Sequence, residues 1–132
     1  MAFAHYPPAG DHAAARLRAA TIAWAPLLAE LHAVGFRPYL ELEAGDSEDP
    51  LRLYCELDDE TLLDITIADE GIPDVPARVP DGDWVVFVQS AEGGYLAEVY
   101  IDATIAFGEL TARLRDLVDS VALGEHPFFV DR

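Results

Sequence analysis

The chain is 132 residues long and 52% hydrophobic, with 25 Asp or Glu against eight basic residues and a formal net charge of −17. That length fits one domain with a sizeable core, and the apolar content excludes a disordered acidic tail. The sign of the charge argues against direct binding to nucleic acid or to an anionic membrane and favours basic partners.

The charge is regional. Between Glu41 and Asp83 stand 15 acidic residues and two arginines, a net of −13, whereas residues 1–40 net +1 and residues 84–132 net −5. All basic residues are Arg, and Lys and Asn are absent, a bias expected of a GC-rich, bacterial coding sequence before any functional choice of Arg. Cys55 is alone, so no internal disulfide or cysteine metal site is expected, which fits a reducing cytoplasm. Residues 1–10 carry neither the basic nor the apolar stretch of a signal peptide. No apolar run reaches the ~18 residues of a membrane span.

A single domain over 1–132 is expected, with an irregular arm at 1–10 and an apolar tail at 124–132. Asp11 is a good helix N-cap. After it Leu17, Thr21, Trp24, Leu27, Leu28, Leu31 and Val34 recur at helical spacing up to Gly35. Pro26 interrupts this pattern. It predicts one amphipathic helix of about 22 residues kinked near Ile22–Trp24; the alternative is two short helices with Pro26 in the first turn of the second.

From Phe36 the period changes to two. Phe36, Pro38, Leu40 and Leu42 alternate with Arg37, Tyr39, Glu41 and Glu43. After a polar turn at 45–50, Leu51, Leu53, Cys55 and Leu57 alternate with Arg52, Tyr54 and Glu56; after Asp58-Asp59-Glu60, Leu63, Ile65 and Ile67 alternate with Asp64 and Thr66. This is the pattern of a three-stranded antiparallel meander. Residues 69–83 hold three prolines and two glycines, a crossing loop too proline-rich for a ladder. Trp84–Gln89 and Tyr95–Ile101 read as two more strands around a hairpin at Glu92-Gly93-Gly94. A helix from Asp102 or Thr104 to about Leu123 follows, with the stripe Phe107, Leu110, Leu114, Leu117 and Val121 and Gly124 as its stop. The tail His126-Pro127-Phe128-Phe129-Val130 is apolar enough to pack back on the domain or on another subunit.

The order α-β-β-β-β-β-α predicts an α+β fold, a five-stranded, mainly antiparallel sheet with two helices packed on one face. The other face then carries Tyr39, Glu41, Glu43, Tyr54, Glu56, Asp64, Glu98 and Tyr100, with Arg37 and Arg52 among them. Val85–Phe87 is apolar on both sides, so part of that face is expected to be covered. Carboxylates interleaved with tyrosines suit a surface that grips Arg or Lys by charge pairs and cation–π contacts. The plainer reading is the solvated face that an antiparallel sheet commonly has.

Other chemistries find less support. Asp46, Glu48, Asp49, Asp58, Asp59, Glu60 and Asp81-Gly82-Asp83 lack the spacing of a calcium loop. Glu41 and Glu56 could pair for acid–base work only in a cleft that short loops do not promise. His5, His12, His32 and His126 are scattered, and an inward Cys55 among leucines reads as packing. No phosphate loop, nucleophile elbow or zinc-protease signature is present, and no cofactor is expected.

The favoured expectation is a non-enzymatic acidic module that recognises a basic protein partner, as a regulator or an immunity-type inhibitor. The helix–sheet–helix order, small size and acidity are also similar to the type III secretion chaperone and YbjN-like group. That resemblance rests on element order and carries over no residues. It implies a dimeric module holding a client protein, in which apolar patches including Phe128 and Phe129 mediate dimerisation or hold the client segment. A small enzyme ranks behind both.

Overall fold

The structure, a computed structural model, describes residues 9–57, 60–67, 70–79, 81–90, 92, 94–122 and 129–130. The expected arm up to residue 8, the turn residues Asp58, Asp59 and Gly93, and the tail residues 124–128 and 131–132 lie outside the described residues.

Pro26 divides the first helical stretch in two. Helix α1 runs Ala9–Ala23 and α2 runs Ala25–Ala33, with the proline in the first turn of α2. A first-turn proline forfeits only an N–H that the helix does not use. The Trp24 N–H still bonds the Ala20 carbonyl at 2.8 Å, and the Trp24 carbonyl accepts from Leu28 at 3.0 Å, so the break is local. Helix α1 begins two residues ahead of Asp11, the expected cap. Helix α2 closes in a Schellman arrangement, in which Phe36 N–H bonds Leu31 O at 3.1 Å and Gly35 N–H bonds His32 O at 3.0 Å. Gly35 holds φ +94, the left-handed conformation this end requires.

The strands are β1 (Arg37–Leu42), β2 (Leu51–Glu56), β3 (Leu62–Ile67), β4 (Asp83–Gln89) and β5 (Tyr95–Asp102). They pair antiparallel in sequence order, giving the expected five-stranded antiparallel sheet. A two-residue strand β6, Phe129–Val130, adds parallel to β5, with Glu98 opposite Phe129 and Val99 opposite Val130. These two residues of the apolar tail therefore return to the sheet edge.

Between β3 and β4 the chain stays close to the sheet. Ile72 is buried and bridges Leu51, its N–H bonding the Leu51 carbonyl at 2.7 Å. Gly71 makes this approach possible. It sits at φ +102, and a Cβ there would stand 2.6 Å from the Leu51 carbonyl oxygen. A short 3-10 turn at Pro76–Arg78 follows.

Helix α3 runs Phe107–Ala122, three residues later than the nearer expected start. The Asp102 carboxylate instead accepts the Thr104 N–H and hydroxyl, each at 2.8 Å, and this local turn holds the chain out of the helix. The stripe Leu110, Leu114 and Leu117 is buried as its spacing predicts, joined by Val118.

The helices cover one face of the sheet. The inward residues Leu42, Leu51, Leu53, Cys55, Leu57, Leu63, Ile65, Ile67, Trp84, Val86, Val88, Ala97, Val99 and Ile101 form one core with Leu27, Leu31, Leu110 and Leu114 from the helices. Trp24 is its hub. It is fully buried, lies 6.0 Å edge-on to Trp84 and 6.0 Å from Phe107, and its indole N–H donates to the Pro73 carbonyl at 2.9 Å. Arg115 of α3 stacks over Phe36, its guanidinium carbon 5.4 Å from the ring centre.

Arg16 ties α1 to the acidic segment. Its guanidinium donates to both Asp74 carboxylate oxygens, the shortest of these bonds being 2.8 Å, and to the carbonyls of Ser47 and Asp49. One cation thus holds the β1–β2 turn and the β3–β4 connection against the helix. Bidentate geometry makes this stronger than an ordinary surface pair.

Candidate binding face

Strand alternation places seven of the eight expected binding residues on the outer side of the sheet; Glu43 lies in the turn after β1 and joins them through Arg52. The register sets them in rows. Tyr39 lies opposite Tyr54, Tyr54 opposite Asp64, Asp64 opposite Phe87, and Phe87 opposite Glu98. In neighbouring rows Glu41 lies opposite Arg52, Arg37 opposite Glu56, and Tyr100 opposite Val85.

The middle of this face is not solvated. Asp64 is 7% exposed, Val85 2% and Thr66 0%. Asp64 is therefore the expected binding residue with the least access to a partner. Its carboxylate receives two N–H groups of Arg52, the shorter at 2.9 Å. Arg52 reaches Glu43 as well, at 3.6 Å. Two carboxylates around one half-buried guanidinium leave this centre net negative, and the Arg52–Asp64 hydrogen bonds offset the desolvation of both. The Thr66 hydroxyl is buried with no hydrogen-bond partner among the described residues.

The periphery is open. Tyr39, Glu41, Glu43 and Glu56 are exposed, and Tyr54, Glu98 and Tyr100 are half-buried. Tyr39 and Tyr54 stack with ring centres 5.4 Å apart. Burial, and after it the nearby carboxylates (Glu56 and Glu41 for Tyr39, Asp64 for Tyr54), push both phenols above their ordinary pKa. Each therefore keeps its proton and presents a neutral, electron-rich ring at neutral pH. Across the face Phe87 and Tyr95 form a second aromatic pair at 5.6 Å.

One end of this face is concave. A cleft of about 360 Å³ opens between the start of β1 and the end of β4. Arg37, Tyr39 and Glu56 line it from β1 and β2, Leu57 and Glu60 from the turn that follows, and Leu62, Gln89 and Ser90 from β3 and β4. Arg37 donates to the Leu57 carbonyl at 2.8 Å, which fixes its guanidinium on the wall. The period-two pattern already puts Leu62 and Gln89 on the same side as Asp64 and Phe87. That Ser90 and Glu60 converge with them depends on strand order and turn packing.

The other groups considered from sequence serve the structure. The Asp49 carboxylate accepts the Ala44 and Asp46 N–H groups at 2.9 and 2.8 Å and closes the β1–β2 turn. Cys55 faces the core, and burial pushes its thiol up to about 12, so it carries no thiolate at neutral pH.

Comparison with protein families, with characterised proteins and with solved structures finds no match for the chain. Among the described residues no helix is long and apolar enough to cross a membrane.

Proposed function

We propose that the chain is a non-enzymatic binding module whose outer sheet face recognises a basic protein surface, in the manner of a regulator or an immunity-type inhibitor. One observation carries this reading. The face left uncovered by the helices combines exposed Glu41, Glu43 and Glu56 with the stacked Tyr39–Tyr54 pair. Such a surface attracts cations at long range and holds them at short range by charge-assisted hydrogen bonds and cation–π contacts. It repels nucleic acid and anionic lipid, so neither is a direct partner. A reducing cytoplasm suits the single buried Cys55.

The test is binding to a lysine- and arginine-rich peptide at low and high salt. Steering by exposed charge predicts that affinity falls about tenfold or more between 50 and 500 mM salt. The triple variant Glu41→Arg, Glu43→Arg, Glu56→Arg should abolish binding while the far-ultraviolet circular dichroism stays unchanged. Binding that survives both salt and charge reversal would leave this face as solvated surface only.

A chaperone-like homodimer is the second reading, supported by the outward apolar residues Ile22 (76% exposed), Tyr95 and Leu96. Light scattering separates the two: a strict monomer at high concentration removes the dimeric alternative.

A further inference from the structure

We propose that the cleft at the Arg37 end of the outer face is a socket for one arginine side chain of the basic partner. The proposal rests on the cation-binding reading of the whole face and adds a position where guanidinium differs from other cations.

The cleft, at about 360 Å³, is of the size of a small-ligand pocket and has room for one long side chain with its accompanying water. Its lining divides by chemistry. Leu62 supplies apolar surface for an alkyl stem, while Glu56 and Glu60 supply carboxylates for the charged head; the Leu57 side chain faces the core, and its carbonyl holds Arg37 on the wall. Tyr39 supplies a flat ring, and the burial that raises its pKa keeps that ring neutral. Two carboxylates outweigh the single guanidinium of Arg37, which is already tied to the Leu57 carbonyl. The cleft therefore favours a cation, and the net charge of −13 between residues 41 and 83 adds to that preference.

Guanidinium fits this set better than ammonium. It presents five N–H donors in one plane, and the acceptors here are plural: two carboxylates and the Gln89 amide oxygen. Its flat face can lie on Tyr39 while its edge donates to them. An ammonium is a compact, strongly hydrated point charge with three donors and no face to stack. The register explains why this happens at one end only. Arg37, Glu56, Leu62 and Gln89 form one row across four strands, whereas in the row of Tyr54 and Asp64 the site of positive charge is already filled by the protein's own Arg52. The Arg52–Asp64 pair is an internal example of the contact a partner arginine would make at the cleft.

The experiment compares three nonapeptides on the full chain, each with four lysines and a central residue that is arginine, lysine or citrulline. Binding is followed by amide shifts in two-dimensional NMR. The arginine peptide should bind roughly three- to tenfold more tightly than the lysine peptide, as expected for a stacked, bidentate contact near the surface. It should also shift the amides of Leu57, Leu62, Gln89 and Ser90. Glu56→Gln and Glu60→Gln, both at exposed positions, should each reduce the arginine preference, the arginine peptide losing more affinity than the lysine peptide. Equal affinity for arginine and lysine peptides, with shifts confined to Glu41, Glu43 and Glu98, would overturn the socket and leave the face reading intact. Failure of all three peptides to bind at low salt would overturn the face reading and the socket together.

Discussion

The two faces of the sheet solve the same problem by opposite means. The inner face is apolar without exception, and three helices seal it around Trp24. No helix among the described residues packs on the outer face, yet its centre is almost as dry: Asp64, Thr66 and Val85 are buried there, with Arg52 bonded to Asp64 and Tyr54 and Phe87 flanking it in register. The Arg52–Asp64 pair ties that centre together. The difference shows how a small sheet can keep one face available to a partner. It concentrates apolar burial on one side, and on the other it spends charge on charge at the centre and leaves the surplus at the rim.

The sharpest way to break the contrast is to truncate the hub of the inner face. Trp24→Ala removes a side chain in contact with Trp84 and Phe107 and leaves the Pro73 carbonyl without its donor. A loss of about 4 kcal/mol in urea unfolding is expected. Gly71→Ala should approach that loss by another route. The new Cβ has 2.6 Å to the Leu51 carbonyl oxygen and a backbone at φ +102, so the Leu51–Ile72 bridge must open.

At the centre of the outer face the expected effect is smaller and depends on which partner is removed. Asp64→Ala strands the Arg52 guanidinium, whose side chain is 15% exposed, and should cost about 2 kcal/mol. Replacing both, Arg52→Leu with Asp64→Leu, should cost less than the single change, since well-packed apolar residues avoid the desolvation of two ions. Thermal melts of Arg52→Leu alone, Asp64→Leu alone and the double variant close the cycle. A double variant that loses as much as the sum of the singles would mean that the pair is not coupled.

Alternation made the two faces legible before any coordinates. A strict period of two from Arg37 to Leu42 and again from Leu51 to Glu56 assigns each side chain to a face with no knowledge of strand order. The same pattern breaks at Val85–Phe87, and the break correctly marks the covered centre. Pro26 pointed to one kinked helix, and the structure has the alternative instead, two helices divided at Trp24, which is fully buried in the core at that point. What the sequence did not disclose were contacts between distant segments. Arg16 meets Asp74 across 58 positions, Ile72 meets Leu51, and Phe129 and Val130, from a tail expected to pack back, join the β5 edge in particular. None leaves a periodic trace. The cleft belongs to the same category: its residues come from four separate stretches, and only the meander order brings Gln89 beside Leu62.

Alkaline pH sharpens the comparison because it acts on the inner face through a single group. The Cys55 thiol is pushed up to about 12 by burial, against an ordinary value of 9.0. The folded state therefore holds its proton more tightly than the unfolded chain does. Below pH 9 both states are protonated and stability is unaffected by this group; as pH rises from 9 toward 12 the unfolded state ionises first and stability falls. Cys55→Ala should be less stable at neutral pH, from the lost packing, but its stability should depend less on pH over that interval. The residual slope belongs in part to Tyr39 and Tyr54, whose pKa values are also raised, so they begin to contribute above pH 10. Denaturant titrations at pH 8, 10 and 11 test this. A variant as steep as the parent would assign the whole effect to the outer-face tyrosines.

The smallest expected effect on stability falls at the outer rim, where the largest effect on recognition is proposed. Glu41 is exposed and Glu98 half-buried. Glu41→Gln and Glu98→Gln should each change stability by no more than about 0.5 kcal/mol, as surface substitutions do. They can even raise it slightly, because each removes one charge from a chain of net −17. If the rim charges serve a partner, the same substitutions should slow association with a basic peptide and flatten its salt dependence, leaving dissociation nearly unchanged. Stopped-flow association at two ionic strengths separates these outcomes. A rate indifferent to both substitutions and to salt would mean that the open face is acidic for solubility alone. A slowed rate at unchanged stability would show that what the outer face lacks in packing it retains for a partner.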